Sequence, residues 1–176
     1  MYEPGTEIFE SQKYGTITLG SGKKSRTFDY GRTYLVYEER VFKALQIFSE
    51  FIYLGNKVLC ISRTHPDLIR ERWPGKMVEC IWLSERPGER NVAPNQLSNL
   101  VQKSAIFAEN NGNAVILLDG MEYLGLFNDS NRMQIFIEHI HDLMMETASI
   151  LIMAIDPRLF EPRSLARLRR NAEVVE

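Results

Sequence analysis

The sequence predicts an α/β fold, three layers deep, with a mostly parallel sheet of five to six strands and helices on both faces. Three observations carry this expectation. Strand and helix patterns alternate from Thr33 to the end of the chain. The runs VLCI, AVILL and ILIMAI are apolar at every position, as strands covered on both sides must be. Between them lie longer segments whose apolar residues recur at helical spacing. With 176 residues, 44% of them apolar, the chain has room for one sizeable core and too little length for two full domains.

Residues 1–32 are polar and glycine-rich apart from YGTITL and SRTF, whose alternation around GSGKK predicts a short hairpin or arm laid against the body. Residues 33–176 form the expected single α/β domain. TYLVYEE is its first strand. VFKALQIFSEFIYLG is the first helix, with Val41, Leu45, Phe48 and Ile52 on one face and Gly55 as its stop. NKVLCIS is a strand, DLIRERW a short helix closed by Pro74 and Gly75, and VECIWLS another strand. ERPGERNVAP reads as a loop. NQLSNLVQKSAIFAEN is a helix with Leu97, Leu100, Val101, Ala105 and Ala108 inward. AVILLDG is the most apolar strand, and MEYLGLFND leads into a long helix from Ser130 to Thr147. SILIMAIDP is a buried strand, and RLFEPRSLARLRR contains a last amphipathic helix before AEVVE.

Charge and cysteine content narrow the function classes. Twenty-one Lys and Arg against 23 Asp and Glu give a formal charge of -2, which argues against a nucleic-acid coat, so any charged site is a local patch. Cys60 and Cys80 are too few for a disulfide scaffold, and both sit in apolar runs where a thiol packs as a small hydrophobe. The first residues, MYEPGTEIFE, lack the basic start and apolar stretch of a signal peptide. No apolar run reaches the roughly 20 residues of a membrane span. The expectation is a cytoplasmic chain that does not insert into membranes.

In a parallel sheet, ligands and partners meet the carboxyl ends of the strands. Those ends place Glu38, Glu39, Arg63, Thr64, His65, Glu85, Asp119 and Asp156 on one candidate rim for a ligand or partner. A second candidate surface is the basic run Arg158, Arg163, Arg167, Arg169 and Arg170, opposed locally by Glu161. A phosphate loop needs two glycines at fixed spacing followed by Lys and then Ser or Thr. GSGKKS has Ile17 at the first glycine position and Lys24 after Lys23; Gly75 and Lys76 are preceded by Arg70 and followed by Met77. Where the first strand meets the first helix the loop is EERVF, with carboxylates and no glycine. His139 and His141, two apart on a helix, face different directions and predict no metal site. No G-x-S-x-G elbow is present, so no catalytic residue is assigned and no cofactor is expected. Asp119 is expected to serve the fold by accepting backbone hydrogen bonds at a tight turn.

GRTYLVYEE, NKVLCISRTHPDLIRE, IWLS, AVILLDGMEYL and IDP followed by RSLARLRR resemble the archaeal domain-of-unknown-function family number 835 over about residues 31 to 175. Members of that family are often attached to sensory or membrane modules, and the resemblance carries over no activity. More distantly, the order of strands is similar to the KaiC branch of RecA-like ATPases. LCISRT stands where that branch bears catalytic glutamates, and AVILLD resembles a Walker B strand. The resemblance implies a RecA-like core that is degenerate at both chemical points, with EERVF for the phosphate loop and Ser62, Arg63 and Thr64 for the carboxylates.

The expected function is a non-catalytic signalling or regulatory domain that binds a protein partner or itself. The alternative is a nucleotide or small phosphorylated-ligand binder using Arg63 and His65. A receiver-like phosphoacceptor fits less well, because IDPR replaces the lysine expected after the last core strand.

Overall fold

The computed structural model of the chain describes residues 15–20 and 24–176. Strands β1 (Thr16–Leu19) and β2 (Arg26–Asp29) pair antiparallel as a hairpin. The expected lysine-rich turn falls in part on Ser21, Gly22 and Lys23, and the first half of the expected arm on residues 1–14, all outside the described residues. The body then runs β3 (Thr33–Tyr37), α1 (Lys43–Tyr53), β4 (Val58–Ser62), α2 (Pro66–Glu71), β5 (Glu79–Leu83) and β6 (Asn91–Val92). It continues with α3 (Leu97–Asn110), β7 (Val115–Asp119), α4 (Met121–Phe127), α5 (Ser130–Thr147), β8 (Ile150–Ile155), α6 (Pro162–Asn171) and β9 (Ala172–Val174).

Seven parallel strands form one sheet in the order β6, β5, β4, β7, β8, β3, β9. The expectation of five to six strands is corrected by the two edges. Asn91–Val92, inside the segment read as a loop, pairs with Trp82 and Leu83, and Ala172–Val174 pairs with Thr33–Leu35. Strands of two or three residues are too short to show alternation. MEYLGLF is also a helix of its own, since Gly120, at φ 141, breaks the chain sharply after β7.

The uniform apolarity of the strands has its cause in two cores, one on each face. Along β7, Ile116 and Leu118 join the core that holds Leu100, Phe136, Ile140 and Met144, under α3 and α5. Val115 and Leu117 join the opposite core with Phe48, Phe51, Ile52 and Trp73, under α1 and α2. The hairpin closes that second face: Phe28 is buried edge-on to Tyr34 and Phe51, with ring centroids 4.8 and 5.5 Å away. Cys60 and Cys80 lie opposite one another in register in this core as free thiols, and burial pushes the Cys60 thiol well above its usual pKa.

Strand order fixes where a site can form. From β3 and β4 the chain crosses over α1 and α2 toward the β6 edge, whereas from β7 and β8 it crosses toward the β9 edge. Adjacent strands that depart in opposite directions leave a crevice at their carboxyl ends. Two such pairs lie inside the sheet, β4 with β7 and β8 with β3.

Candidate functional site

At the first crevice, the Ser62 hydroxyl at the end of β4 donates to Asp119 Oδ2 at the end of β7, 3.1 Å away, and accepts from the Thr64 N–H at 3.0 Å. The expectation that Asp119 accepts backbone hydrogen bonds is corrected: its protein partner is a hydroxyl. Burial pushes the Asp119 carboxyl up to about 6, the Ser62 hydrogen bond draws it down, and Glu122 and Glu38 raise it further. Gly120 is required beside it, because a Cβ there would stand 2.8 Å from Leu83 Cδ1 at a backbone angle that side chains rarely adopt.

The second crevice is closed by its own side chains. The Glu38 carboxylate accepts from the N–H groups of Lys43 and Ala44, at 2.7 and 3.1 Å, which are the first residues of α1. Phe42, at the helix N-cap, has no side chain able to do this. From the β8 end, Glu122 Oε1 accepts from the Asp156 N–H at 2.8 Å. Asp156 in turn grips Arg158 through Nε at 2.9 Å and Nη2 at 2.7 Å, and Arg158 reaches Glu39 at 3.1 Å. The Arg158 hydrogen bonds hold the Asp156 carboxyl below the usual carboxylate range.

The other rim residues are committed to structure or stand apart. Arg63 donates to the Leu83 carbonyl and lies 4.0 Å over the Tyr123 ring, while its own carbonyl accepts from Trp82 Nε1 at 3.0 Å. His65 caps α2, its Nδ1 accepting from the Asp67 N–H at 3.2 Å, and meets Trp82 edge-on at 4.9 Å. Glu85 is exposed. Of the eight rim residues named from the sequence, the crevices thus bring together Glu38, Glu39, Asp119 and Asp156. Ser62, which binds Asp119, and Glu122, which binds the Asp156 N–H, were not among the eight residues of the expected rim. Their signal was position, at the last place of VLCIS and two residues after Gly120.

The five arginines of the C-terminal region have different surroundings. Arg158 belongs to the rim, and Arg163 is exposed. Arg167 lines a cavity of about 620 Å³ with Arg63, Asn128 and Ile137, between α4, α5 and α6. Arg169 donates to the Tyr37 hydroxyl at 3.0 Å, and with Arg170, Arg32 and His141 it lines a pocket of about 290 Å³ where strands β3 and β9 begin. Among the described residues no three His, Cys, Asp or Glu side chains are grouped to hold a metal ion, and no helix is long and apolar enough to cross a membrane.

Residues 37–171 match the family described as Protein of unknown function (DUF835). None of the curated proteins matches the chain. Among solved structures it is similar to a protein of Pyrococcus horikoshii OT3 determined as a structural study, with a TM-score of 0.56 and 12% identity over 85% of this chain and 84% of that one. At that identity the likeness concerns the fold alone.

Proposed function

The chain belongs to the DUF835 family, and from that premise we propose that it is a non-catalytic signalling or regulatory protein-interaction domain built on a degenerate RecA-like core. One observation carries the reading: the N-terminus of α1, where a phosphate loop would offer its N–H groups to a nucleotide, is filled by the Glu38 carboxylate. A helix N-terminus attracts one anion. Here the chain supplies its own, and a phosphate would have to displace it while facing Glu39 and Asp119. The RecA-like kinship is supported by a parallel sheet in which β3 feeds α1 and the Asp119 strand stands two places away, with β8 between.

The domain is therefore expected to bind magnesium-ATP weakly or not at all and to release no phosphate. Calorimetry at about 0.15 M salt, where loose electrostatic attraction is screened, run beside a phosphate-release assay with an Arg63→Ala control, tests this. Tight one-to-one binding, or release that disappears in the variant, overturns the reading.

A second reading, a small phosphorylated ligand, is favoured by the cavity beside Arg63 and Arg167. It is of ligand size, and Asn128, which lines it, keeps Oδ1 buried with no hydrogen-bond partner among the described residues. Against it, Arg63 is already held by Leu83 and Tyr123, and His65 is a helix cap. Native mass spectrometry of gently purified protein separates the two: a bound phosphorylated mass favours the ligand, an unmodified chain mass the first reading.

A further inference from the structure

The lower half of the β5 edge has no strand beside it among the described residues, although the upper half is paired. Trp82 and Ser84 donate outward to the carbonyls of Arg90 and Val92, both at 3.0 Å. Alternation along a strand directs the N–H groups of Cys80 and Val78 to the same side. Strand β6 spans only Asn91–Val92, in register with Trp82 and Leu83, and stops short of them. Among the described residues the Val78 carbonyl accepts only from the weak Cys80 thiol, 3.7 Å away.

This open edge forms the wall of a groove of about 680 Å³ between α3 and the segment before β5. Its lips are apolar: Met77 is 84% exposed and Ile106 54% exposed, above a buried Phe107. Cations surround it, with Arg70, Lys76, Arg90 and Lys103 against Glu79 and Glu89. Arg70 pairs through Nη1 with Asp67 at 3.5 Å but keeps its Nη2 buried without a hydrogen-bond partner among the described residues, so one donor of the guanidinium stands unused beside the groove.

We propose that the β5 edge takes up an extended segment of a partner protein, alternating apolar and acidic residues, as an added strand. The inference rests on the protein-interaction reading and names its surface and the chemistry of the partner. The Cys80 and Val78 backbone groups supply the ladder, the Met77 and Ile106 side chains receive the apolar positions, and the surplus cations select acidic ones. A second copy of the chain is disfavoured by the same charges, since edge-to-edge pairing would set Arg90 and Lys103 of one copy against those of the other.

The test uses the whole chain and two end-blocked peptides of roughly seven residues, alternating valine with glutamate or valine with lysine. The glutamate peptide is expected to bind at least about tenfold more tightly in fluorescence anisotropy and to slow hydrogen exchange at the Cys80 amide by about tenfold. Arg90→Glu combined with Lys103→Glu should reverse the preference toward the lysine peptide. Equal affinity for the two peptides, or no added protection at Cys80, overturns the proposal, and these wild-type readouts decide it even if the double variant fails to fold. Concentration-dependent protection of Cys80 in the free chain also overturns it, by assigning the edge to a second copy. Loss of this surface leaves the wider reading standing, whereas ATP hydrolysis by the same preparation removes that reading itself.

Discussion

Asp119 shows how one hydrogen bond and one burial set the chemistry of a residue. Its carboxyl, raised to about 6 chiefly by burial, holds its proton more tightly in the fold than in the unfolded chain, where the pKa is about 3.9. The folded state therefore binds more protons between about pH 4 and pH 6, and stability falls as pH rises through that window, by roughly 1–3 kcal/mol. Asp119→Asn retains an acceptor for Ser62 and never ionises. Urea denaturation of the variant should show this fall removed and should give at pH 7 a stability equal to or above wild type; a variant less stable at pH 7 would sink the assignment. The neighbouring residue behaves oppositely. Gly120→Ala forces a Cβ to 2.8 Å from Leu83 Cδ1 at φ 141, and the same measurement should register a loss of about 1–3 kcal/mol. The turn at Gly120 after the buried strand was legible in LLDG. That the partner of Asp119 is Ser62 was not, because the contact depends on β4 and β7 being neighbours.

Helices were the most legible elements in position, but not always in face: the expected Val41 and Leu45 are only half-buried, and α1 turns Ala44, Ile47, Phe48, Phe51 and Ile52 to the core. The helix expected from about Ser130 to Thr147 spans Ser130–Thr147, and Met133, Phe136, Ile137, Ile140, Leu143 and Met144 are its buried side. The boundaries also carry unequal strain. Asp129 caps this helix through the Arg132 N–H at 2.9 Å, but it ends at Ala148 with φ 49, a left-handed conformation that costs a side chain energy. Ala148→Gly should raise stability by up to about 1 kcal/mol, read as a higher denaturation midpoint; an unchanged or lower midpoint would show that the strain is absent. At the other extreme, α1 has a cap that no local pattern announced, since Glu38 precedes its N-cap Phe42 by a turn and reaches forward. Glu38→Ala should cost about 1 kcal/mol, while calorimetry on the same variant should still detect no magnesium-ATP binding, because Asp119 and Glu39 remain.

At the scale of the molecule, strand apolarity revealed which strands are buried but not which lie side by side, so the two crevices could be located only once the order was known. Glu39 meets the Asp156 network through Arg158 because β3 and β8 are neighbours in the sheet despite their separation in sequence. The same order makes β3 depend on the end of the chain. Its Leu35 and Val36 are fully buried, yet among the described residues one flank of the strand is paired only with β9, in the register Thr33 with Ala172 through Leu35 with Val174. The Val175 N–H extends the ladder to the Leu35 carbonyl at 2.8 Å, and Lys43 Nζ fastens the Val175 carbonyl at 3.2 Å. Strand β9 carries exposed Glu173 outward, a charge that discourages further pairing along that edge. Ending the chain after Asn171 would replace this charged edge with the backbone of a strand made for the interior. Unpaired edges of that kind recruit other strands. The truncated protein should therefore unfold at lower urea concentration and, in size-exclusion chromatography, shift to larger species as its concentration rises. A truncated chain that elutes as the full-length chain does, with an unchanged midpoint, would mean that β9 is dispensable and that β3 is protected by its helices alone.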